Sequence, residues 1–447
     1  MNDFEIFMKN AAAVKPSDRQ LAWFDTEFYA FVHFTVNTYT DLEWGRGDED
    51  PAIFNPIKLD CDSWVEAVQS AGMKGLILTA KHHDGFCLWP SGQTEHSIKN
   101  SPYLNGKGDI VKEAAEACQR GGIKFGVYLS PWDRNCDLYG TDAYNDFYCA
   151  QLEELLTGYG ELFMIWFDGA CGEGPNGKKQ VYDYDRYIKM IRKYQPDACV
   201  FNDHGPDVRW CGNESGTARN AEWAVVPHEL CFRSEKQTDG ALLKGDLSYM
   251  YSTNKNIGSL QNIIYSDGLV FTGSEIDMSI RPGWFYHKNE EPHSLERLLK
   301  TYFDSVGGNA CFNLNIPPTP EGLFDPRDVA RLKELGNALQ SAFSDPLAVE
   351  IDRLNQSESD TQAIYEIKLK DNKHINYVVL AEEIAHGQRV EAFLLETKNE
   401  LGQWQAFYEG QCIGHKKICQ VQIETDMIRL HITSARDTVK LREIQLF

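Results

Sequence analysis

Short runs of apolar residues recur up to about residue 340, and a segment of helical periodicity or a long loop follows most of them. The runs "GLILTAKH" (75–82) and "LFMIWFD" (162–168) are almost continuously apolar until their last positions. A strand that is apolar on both faces is typical of a parallel sheet that helices cover on both sides. The sequence predicts eight strands, at 28–35, 75–82, 124–130, 162–168, 198–203, 222–227, 273–280 and 309–316.

The segments between these runs carry the start and stop signals of helices. "DCDSWVEAVQSAG" has Asp and Ser ahead of its apolar positions and ends in glycine, and "DYDRYIKMIRKYQP" ends at a proline. "DIVKEAAEACQRGG" places Ile110, Ala114 and Ala117 on one stripe. We therefore predict an α/β fold in which residues 1–340 form a catalytic (β/α)8 barrel of the TIM type. A doubly wound open sheet is the alternative.

After "LKELGNALQSAFSDP" the sequence pattern changes to short segments with strand-like alternation. "YEIKLK", "RVEAFLLET" and "MIRLHIT" are examples. Residues 346–447 number roughly 100, which is the size of an immunoglobulin-like or jelly-roll sandwich. We predict a C-terminal all-β sandwich there, acting as a structural or sugar-contacting module.

The charge of the chain excludes some classes of partner. The 447 residues carry a formal net charge of −22, which disfavours binding to nucleic acid or to an anionic membrane. A neutral substrate such as a sugar is compatible with this charge. The sequence leaves the oligomeric state open.

The twelve cysteines show no CxxC pair and lie in apolar or mixed segments, which suits a reducing compartment. No run reaches the roughly 18 apolar residues of a membrane span. The first residues lack a basic region followed by an apolar one. We expect a cytoplasmic protein, or a periplasmic or secreted one if a signal peptide has been removed.

Polar and aromatic residues collect where the predicted strands end. In a TIM barrel these ends lie on one face, and that face carries the active site. The residues at or just after the predicted ends are His33, His82, His83, Trp89, Tyr128, Trp166, Asp168, Asn202, Asp203, His204, Arg281 and Trp284. The loop after the first strand adds Glu43 and Trp44, and the loop after the fifth strand adds Glu214.

Each residue also has a simpler interpretation. Asp168-Gly169 is a common turn pair, Glu214 alone is typical of a solvated loop, and tryptophans most often pack in a core. His82 and His83 are adjacent on a strand and point to opposite faces, which disfavours one shared metal. We therefore predict neither a metal nor a cofactor. The co-location of so many polar strand ends favours a functional site.

Two carboxylates within a ring of His, Trp, Tyr and Arg suit acid/base chemistry on a neutral polyhydroxylated substrate. Glycoside hydrolysis needs such a pair around an oxocarbenium-like transition state. The residues alone do not say which sugar a glycosidase on this barrel would cleave. A carbohydrate-binding protein with an inactive site is the alternative of another class.

Three stretches carry a family resemblance. "FNPIKLDCDSWVEAVQSAGMKGLILTAKHHDGFCLWPS", "GVYLSPWDRN" and "MIWFDG" resemble the retaining α-L-fucosidases of glycoside hydrolase family 29, in the same order. "EWGRGDEDPAIFNP", "RWCGNESG" and "SIRPGWFYH" resemble the branch that removes α-1,3- and α-1,4-linked fucose from branched Lewis-type oligosaccharides. The resemblance implies a fucosylated oligosaccharide or glycan as the substrate; a broad-specificity α-L-fucosidase is the alternative within the family.

The resemblance also implies roles for residues. Asp168 matches the nucleophile and Glu214 the acid/base. Substrate-binding positions are matched by His33, Glu43, Trp44, His82, His83, Tyr128 and Trp166, with Arg281 and Trp284 as additions. We further expect Gly169 to leave room for the sugar ring, hydrogen bonds from Tyr128 or a histidine to keep the pKa of Asp168 low, and Glu214 to start protonated.

Overall fold

The computed structural model describes residues 3–203, 205–230, 256–264, 266, 268–354 and 361–447. Strands of the first part of the chain are β1 Phe28–Val32, β2 Gly75–Lys81, β3 Lys124–Leu129, β4 Met164–Trp166, β5 Cys199–Asn202, β6 Val208–Trp210, β7 Val225–Pro227, β8 Leu269–Phe271, β9 Gly273–Ser279 and β10 Ala310–Asn315. Eight of these described strands close a parallel barrel in the order β1-β10-β9-β6-β5-β4-β3-β2. The predicted barrel is confirmed.

Helices cover the outside of the barrel. Those of the described residues are α1 Asp3–Ala12, α2 Asp18–Phe24, α3 Asn37–Thr40, α4 Cys61–Ser70, α5 Ile110–Gly121, α6 Asp142–Gly158, α7 Tyr184–Tyr194, α8 Leu260–Ile263, α9 Leu295–Ser305 and α10 Pro326–Phe343. Aspartate side chains cap α4, α5, α7 and α10 by accepting first-turn backbone N–H groups, as the sequence signals indicate. None of the described helices is long and apolar enough to cross a membrane.

Successive strand residues alternate between the barrel interior and the helical layer. On β1, Tyr29 and Phe31 belong to the interior cluster, whereas Phe28 and Ala30 pack with the helices. On β4, Trp166 points inward. Asp168 lies two residues further along, so the same alternation directs it toward the carboxyl-end rim of the barrel.

The sixth barrel strand differs from the prediction. Val225–Pro227, inside the predicted run 222–227, pairs antiparallel with β8 in a separate two-stranded sheet. The barrel uses Val208–Trp210 instead, which pairs with β5 and β9. This strand has three residues, and its central Arg209 is buried and bonds to Glu222 at 3.1 Å. Because a buried, paired arginine is the central residue of a three-residue strand, the sequence shows no continuous apolar run there by which the strand could be predicted.

The C-terminal part is an antiparallel sheet, as the all-β prediction requires. Its strands are β11 Glu350–Arg353, β12 Ala363–Glu382, β13 Val390–Lys398, β14 Trp404–Gln411, β15 Lys417–Ala435 and β16 Leu441–Leu446. The described strands follow the order β11-β12-β15-β13-β14, with β16 beside β12. Their sandwich arrangement and the domain limits at 340 and 346 stay predictions.

The C-terminal sheet contacts the barrel beside the amino end of β10. Asn309, just before β10, accepts a bond from the His415 N–H at 2.6 Å and donates to the carbonyl of Glu222 at 2.7 Å. The N–H of Asn309 also donates to the carbonyl of Lys416 at 3.0 Å. These contacts lie at the barrel end opposite the rim that Asp168 occupies.

The packing of α10 on α4 generates a stability prediction. A Cβ atom on Gly336 would lie 1.8 Å from the backbone oxygen of Ser70, so Gly336→Ala forces the two helices apart. We expect the free energy of unfolding to fall by about 1 to 3 kcal/mol, measured by urea denaturation. Gly158→Ala is the matched control, because that helical glycine is exposed and its Cβ would meet nothing. Equal effects of the two substitutions would contradict the prediction.

Candidate active site

Asp168 lies just past β4, and its carboxylate is held from two sides. The N–H of Ala170 donates to Oδ1 at 2.7 Å, and the Tyr128 hydroxyl donates to Oδ2 at 3.0 Å. The Asp168 side chain keeps 24% of its surface exposed, and Nε2 of His83 lies 3.8 Å from Oδ2. The carboxylate is therefore fixed in orientation and open on one side.

The pKa of Asp168 departs from the expectation of a low value. Burial raises this pKa above its ordinary range, although the bonds from Ala170 and Tyr128 act in the opposite direction. The predicted Tyr128 bond is present, but desolvation of the charged carboxylate outweighs it. A desolvated carboxylate is a stronger base and nucleophile than a hydrated one.

The expectation that Gly169 leaves room for the sugar ring stays a prediction, and the structure shows a further constraint on this position. A Cβ atom at this position would lie 2.0 Å from a carboxylate oxygen of Asp203. The absent side chain therefore makes room for Asp203, the residue that follows β5. His204, which the sequence also places at this strand end, lies outside the described residues.

Three buried histidines line one side of the rim. The His33 and His82 rings lie 5.4 Å apart between centroids, and the His82 and His83 rings 4.1 Å apart. Burial lowers the pKa of His33 and of His83 to about 3, and it lowers the pKa of His82 well below the ordinary value. All three imidazoles are neutral at physiological pH.

Hydrogen bonds fix the tautomers of two of these histidines. Asn315 Nδ2 donates to Ser279 Oγ and to the carbonyl of Trp284, so its Oδ1 accepts from His33 Nδ1 at 2.8 Å. Ser130 Oγ donates to a carbonyl, so it accepts from His83 Nδ1 at 2.7 Å. Nε2 of each ring is consequently an acceptor. Such acceptors suit a ligand that offers hydroxyl donors.

Aromatic rings form the floor of the site. Tyr128 and Trp166 stack with centroids 5.2 Å apart, and His82 stacks on Tyr128 at 5.6 Å. Trp166 Nε1 donates to Glu275 at 2.8 Å, which holds the indole deep in the barrel. Tyr128 and Trp166 thus lie directly beneath the rim.

Glu214 lies on the turn after β6 and is exposed. Its carboxylate accepts a bond from the Trp284 indole N–H at 3.1 Å. Partial desolvation raises the pKa of Glu214, and the negative charges of Asp168 and Glu43 raise it further, against the Trp284 bond. The shift has the direction expected of a group that starts protonated. Trp284, which bonds Glu214, packs against His33 with ring centroids 5.1 Å apart, so Glu214 lies at the same rim as the histidines beside Asp168.

Glu43 and Trp44 come from the loop after β1. Glu43 accepts the backbone N–H groups of Trp284 at 2.9 Å and Phe285 at 3.2 Å, and it contacts His287 Nε2 at 2.6 Å. Its carboxylate therefore clamps the loop that carries Trp284. Trp44 is 57% exposed and packs edge-on against Trp132, with centroids 5.6 Å apart.

The structure does not bring Arg281 into this group. Its guanidinium is fully buried, donates a hydrogen bond to Asp328 at 2.8 Å and forms an ion pair with Asp325 at 3.3 Å. It also stacks over the Tyr286 ring at 5.0 Å. Arg281 thus anchors the start of the 281–287 loop on α10, with its charge directed away from the rim.

Sequence reasoning missed three polar residues of the barrel interior. Asn315 orients His33, Glu275 holds Trp166, and Asp277 accepts from the Trp210 indole at 2.9 Å. A signal was present, because Glu275, Asp277 and Ser279 alternate with apolar residues along β9. Polar residues at every second position of a buried strand indicate an inward-facing polar surface.

A family model described as α-L-fucosidase matches residues 11–342, which is most of the chain and all of the barrel. The chain belongs to the α-L-fucosidase family, glycoside hydrolase family 29. It is therefore a glycoside hydrolase, and the predicted family is confirmed. The rim that carries Asp168 and Glu214 is the candidate active site of this fucosidase barrel.

The relatives extend beyond the barrel. α-L-Fucosidase 1 of Arabidopsis thaliana is 37% identical, over 94% of this chain and 85% of its own length. A solved structure of a proposed α-L-fucosidase from Bacteroides ovatus is 41% identical, covers 100% of this chain and 76% of its own chain, and has a TM-score of 0.88. A Ruminococcus gnavus family 29 fucosidase in complex with fucose is 29% identical, covers 97% and 95%, and has a TM-score of 0.84.

The histidine pKa values yield a test that needs no substrate. With the pKa of His33 and His83 at about 3 and that of His82 lower, the imidazole resonances of all three should stay unchanged between pH 5 and 8. Carbon-13 labelling of histidine, with single substitutions to assign each signal, provides the measurement. His287 is the internal control, because its bonds to Asp41 and Glu43 outweigh desolvation and raise its pKa. A midpoint near pH 6.5 for any of the three would contradict the prediction.

Proposed function

We propose that the protein is a retaining α-L-fucosidase in which Asp168 is the nucleophile and Glu214 the acid/base. The observation that carries this proposal is the pairing of a fixed, desolvated carboxylate with a second carboxyl whose pKa the first one raises. Retaining glycosidases need one carboxylate ionised and one carboxyl protonated in the same site. Their different surroundings set the two roles.

In the first step, Oδ2 or Oδ1 of Asp168 attacks the anomeric carbon of the fucosyl group while the bond to the leaving oxygen breaks. Glu214 gives its proton to that oxygen. The fucosyl group is then an ester of Asp168, and Glu214 is ionised. The bonds from Ala170 and Tyr128 keep the attacking carboxylate oriented.

In the second step, the ionised Glu214 takes a proton from a water molecule, and the water oxygen attacks the anomeric carbon. The bond to Asp168 breaks, which restores its carboxylate and releases fucose with its original anomeric configuration. The exposure of Glu214 supports this role, because water reaches it directly.

The histidines support a sugar as the ligand of the site. The Nε2 atoms of His33 and His83 accept hydrogen bonds, and each hydroxyl of a sugar can donate one. His83 Nε2 and Asp168 Oδ2 lie 3.8 Å apart without a proton between them, so one hydroxyl donor can interact with both. A related fucosidase from Ruminococcus gnavus has been solved with fucose bound, which favours fucose as that sugar.

We further propose that the natural substrates are α-1,3- and α-1,4-fucosylated branched glycans of the Lewis type. The motifs around Glu43, Glu214 and Trp284 support this branch of the family. Trp44 is exposed at the rim beside Trp132, and an exposed indole provides a surface on which a sugar of the leaving group can pack.

The roles of the two carboxylates separate in the presence of azide. We expect Asp168→Ala and Glu214→Ala each to lower hydrolysis of a fucosylated glycan by roughly a thousandfold. With an aryl fucoside and azide, Asp168→Ala should form β-fucosyl azide, because azide replaces the missing nucleophile. Glu214→Ala should form α-fucosyl azide, because azide attacks the fucosyl ester from the open face.

Nuclear magnetic resonance of the azide products identifies the anomer, and circular dichroism confirms that each variant is folded. Near-normal activity of Asp168→Ala, or the same azide anomer from both variants, would refute the assignment of roles.

The linkage proposal has its own test. We expect fucose release from a Lewis trisaccharide to exceed release from α-1,2-fucosylated lactose at least about tenfold in kcat/KM, measured by chromatography of free fucose. Trp44→Ala should lower kcat/KM for the trisaccharide more than for an aryl fucoside, because only the trisaccharide offers a second sugar to that indole. Equal rates on the two oligosaccharides would favour the broad-specificity alternative.

A further inference from the structure

Glu214 is carried by a turn and not by a strand, so its placement requires an explanation. The residue is exposed, and its carboxylate accepts a hydrogen bond from the Trp284 indole at 3.1 Å. A glutamate side chain has three rotatable bonds, and an exposed turn can sample several backbone conformations. Efficient proton transfer needs a heavy-atom separation close to hydrogen-bond length.

The side chain of Asn213 organises this turn. Its Oδ1 accepts from the N–H of Ser215 at 3.1 Å, from the hydroxyl of Ser215 at 2.7 Å and from the N–H of Thr217 at 3.2 Å. Its Nδ2 donates to the carbonyl of Thr217 at 2.8 Å. The Asn213 amide thus bonds to the backbone of two residues that follow Glu214, namely Ser215 and Thr217.

The turn is also attached to β9, the barrel strand beside β6. The N–H of Cys211 donates to the carbonyl of Glu275 at 3.1 Å, and the N–H of Gly216 donates to the carbonyl of Asp277 at 3.2 Å. Gly216 has φ +72°, and a Cβ there would lie 2.7 Å from the sulfur of Met278. The two ends of the turn are therefore fixed on the barrel, and Asn213 fixes the segment between them.

We propose that Asn213 is the positioning residue of the acid/base, holding the Glu214 backbone so that the carboxyl faces the leaving-group oxygen. This inference rests on the proposed role of Glu214. The same amide also keeps the turn closed in both halves of the reaction, when Glu214 is neutral and when it is charged, because none of its bonds involves the Glu214 carboxyl.

The proposal predicts an effect that depends on the leaving group. A glycan leaves as an alcohol and needs a proton from Glu214, whereas fluoride leaves without one. Loss of the Asn213 amide should therefore slow cleavage of a glycan and spare cleavage of α-L-fucosyl fluoride. A general loss of folding or of sugar binding would slow both substrates equally.

The experiment compares kcat/KM of the purified 447-residue chain on a Lewis trisaccharide and on α-L-fucosyl fluoride. We expect Asn213→Ala to lower the value for the trisaccharide about 100-fold and to leave the value for the fluoride close to that of the unsubstituted enzyme. Asn213→Asp keeps the three accepted bonds, so it should recover most of the activity on the trisaccharide. Its added negative charge should raise the pKa of Glu214 and move the basic limb of the pH profile to higher pH.

Asn399 provides a matched control. Its Oδ1 accepts the N–H groups of Leu401 and Gln403 at 3.0 Å each, in a turn of the C-terminal sheet. Asn399→Ala removes the same kind of bonds and should leave both kcat/KM values unchanged.

Glu214→Ala sets the reference for complete loss of the acid. If Glu214→Ala slows only the trisaccharide and Asn213→Ala slows both substrates equally or neither, the positioning role of Asn213 is wrong. If Glu214→Ala itself slows both substrates equally, the proposed role of Glu214 is wrong. Selective loss in both variants, with recovery in Asn213→Asp, supports the proposal.

Discussion

The parallel hydrogen bonding of β1 with β10 closes the barrel and determines where the site residues lie. Phe31 pairs with Asn315 in this register, so His33, two residues further along, reaches the Asn315 side chain. Asn315 in turn bonds to Ser279 of β9 and to the carbonyl of Trp284. The pairing of β1 with β10 therefore connects β1, β9 and β10 with the loop after β9. The Trp284 indole of this loop donates the hydrogen bond to Glu214.

The site contains titratable groups whose burial lowers stability in two pH ranges. Folding depresses the pKa of His33 and His83 to about 3. As the pH falls below about 6.5, the unfolded chain therefore binds protons at these histidines that the folded chain does not bind, and the folded state loses stability. Burial raises the pKa of Glu275 to about 7, so this carboxyl opposes folding as the pH rises from about 4.3 to 7. The packed barrel around the site offsets both costs and keeps neutral imidazoles beside the Asp168 carboxyl group.

The sequence predicts most of the fold because burial on both faces leaves a simple pattern. Seven of the eight predicted barrel runs coincide with barrel strands, whereas "EWAVVP" is extended but pairs outside the barrel. The true sixth strand is short and centred on Arg209, whose pairing with Glu222 depends on a segment outside that strand. Long-range pairing of a buried charge leaves no local periodicity, so a single sequence does not reveal it.

The candidate site is predictable to the level of strand ends and no further. Asp168, Tyr128 and Trp166 meet at the rim because strand alternation and the parallel order direct them there. The expectation that His82 and His83 point to opposite faces is wrong, because β2 ends at Lys81 and both rings lie past it, with centroids 4.1 Å apart. Arg281 follows β9 in the same way, yet its side chain turns outward because Asp325 and Asp328 of the α10 region lie behind it. Whether a residue just past a strand end faces the rim or the helical layer depends on partners more than forty positions away.

The different placement of the two carboxylates fits the roles proposed for them. In the proposed mechanism Asp168 forms and breaks a bond to carbon, which requires a fixed position, and this residue lies at a strand end with two hydrogen bonds to its oxygens. The proposed acid/base role of Glu214 involves proton exchange first with a leaving sugar and then with water, which requires an open side, and Glu214 lies exposed on a turn. A barrel supplies both environments at one rim, since strand ends are rigid and the loops between them reach the solvent. In the proposal for Asn213, the rigidity that the turn lacks by itself comes from this side chain, whose bonds go to Ser215 and Thr217 and leave the Glu214 carboxyl free to react.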